Sequence, residues 1–262
     1  MNNSIDFYKY VGAGNDFVIF ECWDEDMQIS EQQIVNICDR RFGIGADGVM
    51  ILQSHPTADF KMNYYNADGS RGEMCGNGAR CLVRFAELKS RVTCSGTFSA
   101  DDGIHHFSIL EDLVAVEIIV NGELRPWDIP RAGCGFIDTG VPHLVIPVLD
   151  AALENLVHLG KEMNAHPAHP QGTNTNLVEK LAESLKVRTW ERGVNMETLA
   201  CGTGAAATAI FANEKWMLEW PIKLLFPGGE LEVDHRGNQY WLTGPAQLVF
   251  KGHLSLSKFQ GN

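Results

Sequence analysis

Short apolar runs, separated by polar or glycine-containing turns, recur along the whole chain. Runs of this length predict β-strands. The clearest are residues 17–20, 49–52, 114–120, 136–137, 144–148 and 231–233. Turn signals such as Pro227-Gly228-Gly229 separate the later runs. The pattern predicts a protein rich in β-sheet.

Four other segments carry apolar residues at helical spacing. Two of them, residues 79–89 and 205–215, follow a Cys-Gly-x-Gly motif, and the second is so rich in small and apolar residues that we expect it to be buried. Residues 31–40 and 151–164 are typical of amphipathic helices that cover a sheet. We therefore expect an α/β (α+β) fold in which strands surround a buried helix, twice over.

The two motifs belong to a longer internal repeat. Met74-Cys-Gly-Asn-Gly-Ala-Arg-Cys81 resembles Ala200-Cys-Gly-Thr-Gly-Ala-Ala-Ala207, and a β-like stretch precedes each. Further upstream, Gly14-Asn-Asp-Phe-Val-Ile19 parallels Val141-Pro-His-Leu-Val-Ile146. These matches predict two pseudo-symmetric halves, residues 1–125 and 126–247.

Composition narrows the class of protein. With 45% hydrophobic and 21% charged residues, the chain fits a soluble globular protein. It has no apolar run near the roughly 18 residues of a membrane span, and its start lacks the layout of a signal peptide, so we expect a cytoplasmic protein. The net charge of −12 argues against nucleic acid or anionic membranes as partners.

The seven cysteines are an odd number, and no two form a Cys-x-x-Cys pair. A zinc ribbon, a thioredoxin-type motif or a disulfide framework is therefore not expected. We predict packing roles for those outside the motif starts, namely Cys22, Cys38, Cys81, Cys94 and Cys134.

Cys-Gly-x-Gly at a helix start combines two properties. The first backbone N–H groups of a helix have no internal partner and carry partial positive charge, so they bind anions. Glycine lets another group approach this backbone, and a cysteine at the same point gains thiolate stability. One motif thus suits both a carboxylate and a reactive thiol.

Two such motifs predict a reaction. If a substrate carboxylate is bound by the helix starts, one thiolate removes the α-proton and the other thiol delivers a proton to the opposite face. The stereocentre is inverted, and neither a metal nor a cofactor is required. Cys75 and Cys201 are the predicted acid and base.

These motifs resemble the diaminopimelate epimerase family, which interconverts LL- and meso-2,6-diaminopimelate for lysine and peptidoglycan synthesis. The resemblance spans nearly the whole chain. Besides the cysteine motifs, it includes residues 12–17, 40–48, 66–70, 172–176 and 190–193. It implies two pseudo-symmetric halves, each with a β-sheet or barrel around a central helix, and a last strand at 248–262 that returns to the first half. We expect a homodimer by this analogy and because homodimers are the commonest assembly.

The resemblance also assigns residues. It makes Cys75 and Cys201 catalytic, with His143 and Glu191 tuning the second thiol. Glu191 and Arg192 bind the distal end of the substrate, where an arginine fork suits a carboxylate. The full set of implied substrate-binding residues is Asn15, Asn66, Gly76, Asn77, Asn174, Glu191, Arg192, Gly202 and Thr203.

Plainer roles stay open for several of these residues. Asn15, Asn66 and Asn174 stand beside residues typical of turns, His143 follows a proline, and Arg192 could form a surface ion pair. The chain also departs from the family at two places near the distal site. Val141 replaces an asparagine before the Pro-His pair, and residues 194–196 include one extra residue.

Three other hypotheses follow. The chain could be a racemase of another amino acid with the same two-cysteine chemistry, which Val141 favours and Arg192 disfavours. It could be a non-catalytic relative that binds a small molecule, although both cysteines are present. It could be a redox switch in which Cys75 and Cys201 form a disulfide.

Overall fold

The computed structural model describes residues 4–24, 27–72 and 74–255. The strands are β1 (Ser4–Gly12), β2 (Asn15–Glu21), β3 (Gly48–Gln53), β4 (Phe60–Asn66), β5 (Arg71–Gly72), β6 (Ser95–Ala100), β7 (Gly103–Leu110), β8 (Leu113–Ile118), β9 (Arg125–Trp127), β10 (Cys134–Asp138), β11 (Pro142–Val148), β12 (Asn174–Lys180), β13 (Leu185–Glu191), β14 (Met196–Thr198), β15 (Ile222–Phe226), β16 (Gly229–Arg236), β17 (Gln239–Pro245) and β18 (Gln247–Ser255). The helices are α1 (Glu31–Cys38), α2 (Gly76–Leu88), α3 (Leu156–Asn164) and α4 (Gly202–Trp216).

The chain divides into two units. Unit 1 is Met1–Val116 together with Gly244–Asn262, and unit 2 is Glu117–Thr243. Within unit 1, β18 pairs antiparallel with β1 from Ser4 opposite Ser255. The last described strand therefore completes the unit that contains the first one.

The strand ladder of unit 1 runs through eight pairings. β18, β1 and β2 are successively antiparallel, β2 and β3 are parallel, and β3 and β4 are antiparallel. β4 pairs antiparallel with β5 and parallel with β6, and β6, β7 and β8 continue antiparallel.

Unit 2 repeats this ladder pairing for pairing. β9, β10 and β11 are antiparallel, β11 and β12 parallel, and β12 and β13 antiparallel. β13 pairs antiparallel with β14 and parallel with β15, and β15, β16 and β17 continue antiparallel. The predicted α+β fold with two repeated halves is confirmed.

The connection between the two strands of each parallel pair contains a helix, because parallel neighbours need a crossover connection. α1 and α2 connect the parallel pairs of unit 1, and α3 and α4 connect those of unit 2. α2 packs on β1, β2, β3 and β7, and α4 packs on β10, β11, β12, β15 and β16. α4 is buried along most of its length, as its composition predicted.

Both central helices begin three residues before the predicted segments, at Gly76 and Gly202. Glycine and asparagine have weak helix propensity, so the apolar spacing did not reach them. α3 begins later than predicted, at Leu156, because the Asn155 side chain accepts a hydrogen bond from the His158 N–H and caps the helix there.

The turn between β1 and β2 fixes the position of Asn15. Gly12 pairs with Asn15, so only Ala13 and Gly14 form the loop, and both have positive φ, 51° and 90°. Two successive left-handed residues match the twist of a hairpin, and glycine adopts this conformation without strain. Asn15 therefore begins β2.

In unit 2, packing fixes the end of β13. Trp190 is fully buried, and Gly160 of α3 lies against its ring, where an added Cβ would stand 2.2 Å from Cγ. Only glycine allows the helix to approach the indole this closely. The contact anchors the residue immediately before Glu191.

Candidate active site

Cys75 and Cys201 occupy the same position in the two units. Each is the N-cap of its helix, with extended backbone angles of φ −136°, ψ 111° and φ −129°, ψ 117° respectively. The backbone N–H groups that follow each cysteine are those of a first helical turn, which lack intrahelical acceptors. Each unit thus has a cysteine at a helix start that can bind an anion.

The second glycine of each motif is closely packed. A Cβ on Gly78 would stand 1.8 Å from Met50 Cε, and one on Gly204 would stand 2.6 Å from Asn176 Oδ1. Side chains of β3 and β12 therefore lie directly against the two helix starts. Glycine keeps this approach open in both units.

The Cys201 thiol has donors on one side and a carboxylate on the other. Gly204 N–H donates to Sγ at 3.4 Å, and Thr203 Oγ1 lies 3.5 Å from Sγ. Burial, followed by the Glu191 carboxylate, raises the pKa of Cys201 well above its usual value, while the Thr203 and Gly204 contacts oppose this. In this structure burial outweighs the helix start, so the resting group is a thiol.

His143 lies completely buried in unit 2 beside this thiol. Its Nε2 is 2.9 Å from Thr203 Oγ1, and its Nδ1 is 3.1 Å from Asn176 Nδ2. Burial, followed by the charge of Arg192, lowers the pKa of His143 to about 3. The imidazole is therefore neutral near pH 7.

Asn174 lies between the histidine and the distal residues. Its Oδ1 accepts the Arg192 backbone N–H at 2.8 Å, and its Nδ2 is 3.3 Å from His143 Nε2. The Arg192 guanidinium donates to the Gln171 carbonyl at 2.8 Å, and Glu191 accepts from the Thr198 hydroxyl at 2.6 Å. Side chains at the end of β13 and the start of β12 thereby form one network.

The two departures from the family pattern lie in turns of unit 2. Val141 belongs to the turn between β10 and β11, where its carbonyl accepts the Thr139 N–H at 3.1 Å. The extra residue falls in the hairpin between β13 and β14, where Asn195 donates its N–H to the Glu191 carbonyl and has φ 58°. Asparagine tolerates this left-handed conformation, so the insertion leaves the Glu191–Met196 pairing intact.

Unit 1 places Asn15 and Asn77 together. Asn77 Nδ2 donates to Asn15 Oδ1 at 2.7 Å, and Asn15 Nδ2 donates to Asp47 at 2.9 Å. Arg80, fully buried, donates to Asn77 Oδ1 at 2.8 Å and to the Gly76 carbonyl at 3.2 Å. Burial lowers the pKa of Arg80 to about 10, so the guanidinium remains charged.

Asn66 forms contacts of a different kind. It ends β4, its N–H donates to the Ser70 carbonyl at 2.8 Å, and its Nδ2 donates to the Ser70 hydroxyl at 3.0 Å. These bonds close the turn before β5. A substrate contact of Asn66 stays a prediction.

The structure thus joins Cys201, Thr203, His143, Asn174 and Glu191 into one set of contacts and adds Asn176, which the sequence interpretation missed. In unit 1 it joins Asn15 and Asn77 and adds Arg80 and Asp47. Arg80 had a signal, since a charged residue stands at a core position of a helix. Asn176 lies in the stretch 172–176 that carries the resemblance, but its role was not assigned because its partners lie far away in the chain.

The remaining cysteines lie elsewhere. Burial raises the pKa of Cys38 and of Cys81 to about 12, Cys134 is buried, and Cys94 is exposed. Among the described residues, no cluster of three or more His, Cys, Asp or Glu side chains could hold a metal ion. No helix in the described part of the chain is long and apolar enough to cross a membrane.

Comparison with known sequences gives full-length matches. A family model described as diaminopimelate epimerase matches residues 7–113 and 135–249. The chain is 37% identical to diaminopimelate epimerase of Aquifex aeolicus, covering 96% of this chain and 98% of that protein. It is 38% identical to diaminopimelate epimerase of Flavobacterium psychrophilum, covering 93% and 98%.

Solved structures share the fold at low identity. A phenazine biosynthesis protein of the PhzF family from Bacillus anthracis aligns with a TM-score of 0.74 at 13% identity, covering 96% of this chain and 99% of that one. A probable proline racemase from Agrobacterium radiobacter aligns with a TM-score of 0.70 at 14% identity, covering 96% and 93%. These structures establish the architecture alone.

Proposed function

Since the chain belongs to the diaminopimelate epimerase family, we propose that it interconverts LL- and meso-2,6-diaminopimelate with Cys75 and Cys201 as acid and base. The chain is an isomerase of the epimerase class. One observation carries the assignment of the two thiols: each repeated unit places a cysteine as the N-cap of its central helix, followed by Gly-x-Gly.

The reaction needs only two proton transfers. One cysteine, as thiolate, takes the α-proton, and the electron pair left on the α-carbon delocalises into the carboxylate. The other cysteine, as thiol, gives its proton to the opposite face of the same carbon. Backbone N–H groups of the two helix starts, at Gly76, Asn77, Gly202 and Thr203, would bind the carboxylate and stabilise the charge that builds on it.

Unit 2 supplies the groups that prepare Cys201. Glu191, whose charge raises the pKa of the thiol, is the group that receives its proton before Cys201 acts as base. His143, neutral and buried, contacts the thiol through Thr203. Arg192 would bind the distal carboxylate with its guanidinium fork, and Asn174 would bind the zwitterion with its amide.

In unit 1, Arg80 and Asp47 hold Asn77 and Asn15 from either side. An asparagine amide fixed in this way suits the ammonium and carboxylate of an amino acid, because it offers both a donor and an acceptor. Asn66 would contribute from the turn after β4. The units would correspond to the halves expected at residues 1–125 and 126–247. The last strand expected at 248–262 would belong to the first through β18, while residues 256–262 lie outside the described residues.

Two further properties accompany this function. Catalytic thiols must stay reduced, which places the enzyme in the cytoplasm, where lysine biosynthesis would use it. The assembly would be a homodimer. The exposed apolar side chains of Leu248, Val249 and Phe250 on β18 support an interface on that strand.

Proton NMR of LL-diaminopimelate with the reduced enzyme in D2O tests the function. We expect the α-proton signal to disappear and the meso isomer to form. Cys75→Ala and Cys201→Ala should each abolish inversion, and Cys94→Ala, at an exposed cysteine, is the control. If the α-proton of a different amino acid exchanges instead, that amino acid is the substrate. The change in specificity would then be attributed to Val141 and the turn at 194–196. Full inversion by either alanine variant would exclude the two-thiol mechanism.

A further inference from the structure

Asn176 is a completely buried amide directly beneath the helix start that carries Cys201. Its Nδ2 lies 3.1 Å from the Leu144 carbonyl and 3.1 Å from His143 Nδ1. Its Oδ1 accepts from the Thr189 hydroxyl at 2.8 Å. A buried amide is costly unless both its nitrogen and its oxygen form hydrogen bonds. The Asn176 amide meets this condition.

These contacts fix the direction of each hydrogen bond. A carbonyl oxygen only accepts, so the Asn176 atom that faces Leu144 must be the nitrogen. The same NH2 group also faces His143 Nδ1, which therefore accepts. Because His143 is neutral, its one proton must lie on Nε2.

The protonated Nε2 faces Thr203 Oγ1 at 2.9 Å and donates to it. The Thr203 hydroxyl proton is then directed away from the imidazole, toward Cys201 Sγ at 3.5 Å. Asn174 Nδ2 is also a donor and cannot bond to Nε2–H, so its N–H groups remain for a ligand. The alternative tautomer, with the proton on Nδ1, would turn the Thr203 hydroxyl back to the histidine.

Unit 1 shows that the fold does not need this polar pair. Asn176 is opposite Thr189 in the β12–β13 ladder, and unit 1 has Met50 opposite Tyr64 at the same point of β3 and β4, with Met50 against Gly78 as Asn176 is against Gly204. Asn176 pairs with Val145 and Met50 with Ile19, so the residue of unit 1 at the place of His143 is Phe17, whose ring has no tautomers. The buried amide is therefore associated with the histidine and is not a requirement of the fold.

We propose that Asn176, held by Thr189, is a positioning residue that keeps the proton of His143 on Nε2 and thereby directs the Thr203 hydroxyl at the sulfur of Cys201. The inference rests on the proposed function, in which Cys201 alternates between thiol and thiolate. A hydroxyl and the Gly204 N–H then face the thiolate when it forms, while Glu191 and Arg192 are the charged groups beside the network.

The histidine tautomer is measured directly by two-bond 1H–15N NMR of protein labelled with 15N-histidine. The His143 signals are assigned by their loss in His143→Gln. We expect Nε2 protonated and Nδ1 unprotonated from pH 6 to 9. Asn176→Asp places an acceptor at Nδ1 and should shift the proton there. A wild-type spectrum with the proton on Nδ1 would overturn the proposal.

Alkylation of Cys201 by iodoacetamide, followed by peptide mass spectrometry, measures the effect on the thiol. We expect the rate at pH 8.5 to fall about tenfold in Thr203→Val, to fall several-fold in Asn176→Leu, and to recover in Thr203→Ser, since a hydrogen bond to a charged group is lost and restored. Cys75 in the same sample is the internal reference. The matched control is Thr175→Val, because the Thr175 hydroxyl has no hydrogen-bond partner among the described residues.

The outcomes separate the two proposals. An unchanged Cys201 rate in Asn176→Leu and Thr203→Val, with the protein folded by circular dichroism, would refute the positioning role whatever the enzyme does. Failure of the wild-type protein to epimerise diaminopimelate, with the expected tautomer and rates, would refute the substrate and leave the network intact.

Discussion

At the scale of single residues, opposing contacts determine the state of Cys201. The helix start and two donors favour the thiolate, whereas burial and the Glu191 carboxylate favour the thiol, and the thiol prevails. A thiol that is hard to ionise is a weak acid, but its thiolate, once formed, is a strong base. The carboxylate beside it supplies the acceptor that the buried sulfur otherwise lacks.

Replacing Glu191 should therefore change the alkylation rate of Cys201 and the rate of epimerisation in opposite directions. In Glu191→Gln the negative charge is removed, so the pKa of Cys201 should fall and its alkylation at pH 8 should be faster. Epimerisation should fall by about 100-fold or more, because the proton acceptor is gone. The control is Glu197→Gln on the neighbouring strand, where the carboxylate pairs with Arg188. Slower alkylation in Glu191→Gln would contradict this assignment.

His143 makes stability depend on pH. Its pKa in the folded protein, about 3, lies below the usual 6.5, so unfolding takes up a proton between these values. The contribution of the neutral ring is complete above pH 6.5 and declines as the pH falls toward 3, by up to about 1.4 kcal/mol per pH unit. Urea unfolding at pH 7 and 5 should show a smaller difference in His143→Gln. His158→Gln, at an exposed histidine, should behave like the wild type.

At the scale of elements, the starts of the central helices combine poor helix formers with tight packing. Gly204 lies where alanine would improve helix propensity by about 1 kcal/mol, yet its Cβ would stand 2.6 Å from Asn176 Oδ1. The close approach of β12 therefore outweighs the propensity of the helix.

We expect Gly204→Ala to lower the free energy of unfolding by about 1–3 kcal/mol and to displace Asn176 from His143, with loss of epimerisation. Ala207→Gly, one turn further along α4, should cost about 1 kcal/mol through propensity and retain activity. Urea unfolding and the epimerase assay compare the two. A Gly204→Ala variant that is more stable than wild type and fully active would show that β12 can move away from the start of α4.

A cluster of charged side chains holds the hairpin of β1 and β2. Asp16 bonds to Arg40 at 2.7 Å and pairs with the buried Lys9. Burial by itself raises the pKa of Asp16. The hydrogen bonds and charges of Arg40 and Lys9 together have the larger, opposite effect and lower the pKa to about 2. The ion pairs thus hold the strand that begins with Asn15.

Asp16→Asn should destabilise the protein by about 2 kcal/mol at pH 7. Because the pKa of Asp16 is lowered in the folded state, its contribution is complete above about pH 4 and is lost as the pH falls toward 2. The difference from wild type in urea unfolding should therefore shrink across that window. Asp59→Asn, which leaves this cluster intact, serves as the comparison. A constant difference down to pH 2 would contradict the lowered pKa.

At the scale of the whole molecule, the expected homodimer can be tested on β18. Val249 is 58% exposed on that strand. Val249→Lys should convert a dimer into a monomer in light scattering after gel filtration, since a charge would be buried in an apolar interface. Leu149→Lys, at an exposed leucine of unit 2, should leave the mass unchanged. A dimer that persists in Val249→Lys would place the interface elsewhere.

The sequence alone predicts much of this molecule, and the limit has a physical cause. Strands, central helices and the repeat are local or periodic signals, so they were found. The beginnings of the helices were missed because glycine and asparagine carry no apolar signal. The cysteines were found through repetition, whereas Asn176 and Thr189 looked like ordinary strand residues. Their role depends on partners across the sheet, such as Leu144 and His143, that no local pattern reveals.

The return of β18 to β1 has a consequence for synthesis on the ribosome. Residues far apart along the chain, Ser4 and Ser255, must become neighbours before unit 1 has all its strands. Unit 2 is encoded without interruption and has emerged completely by then. Unit 1 begins to be translated before unit 2 but is completed after it, and the nascent chain exposes the edge of β1 that β18 covers until β18 has been synthesised.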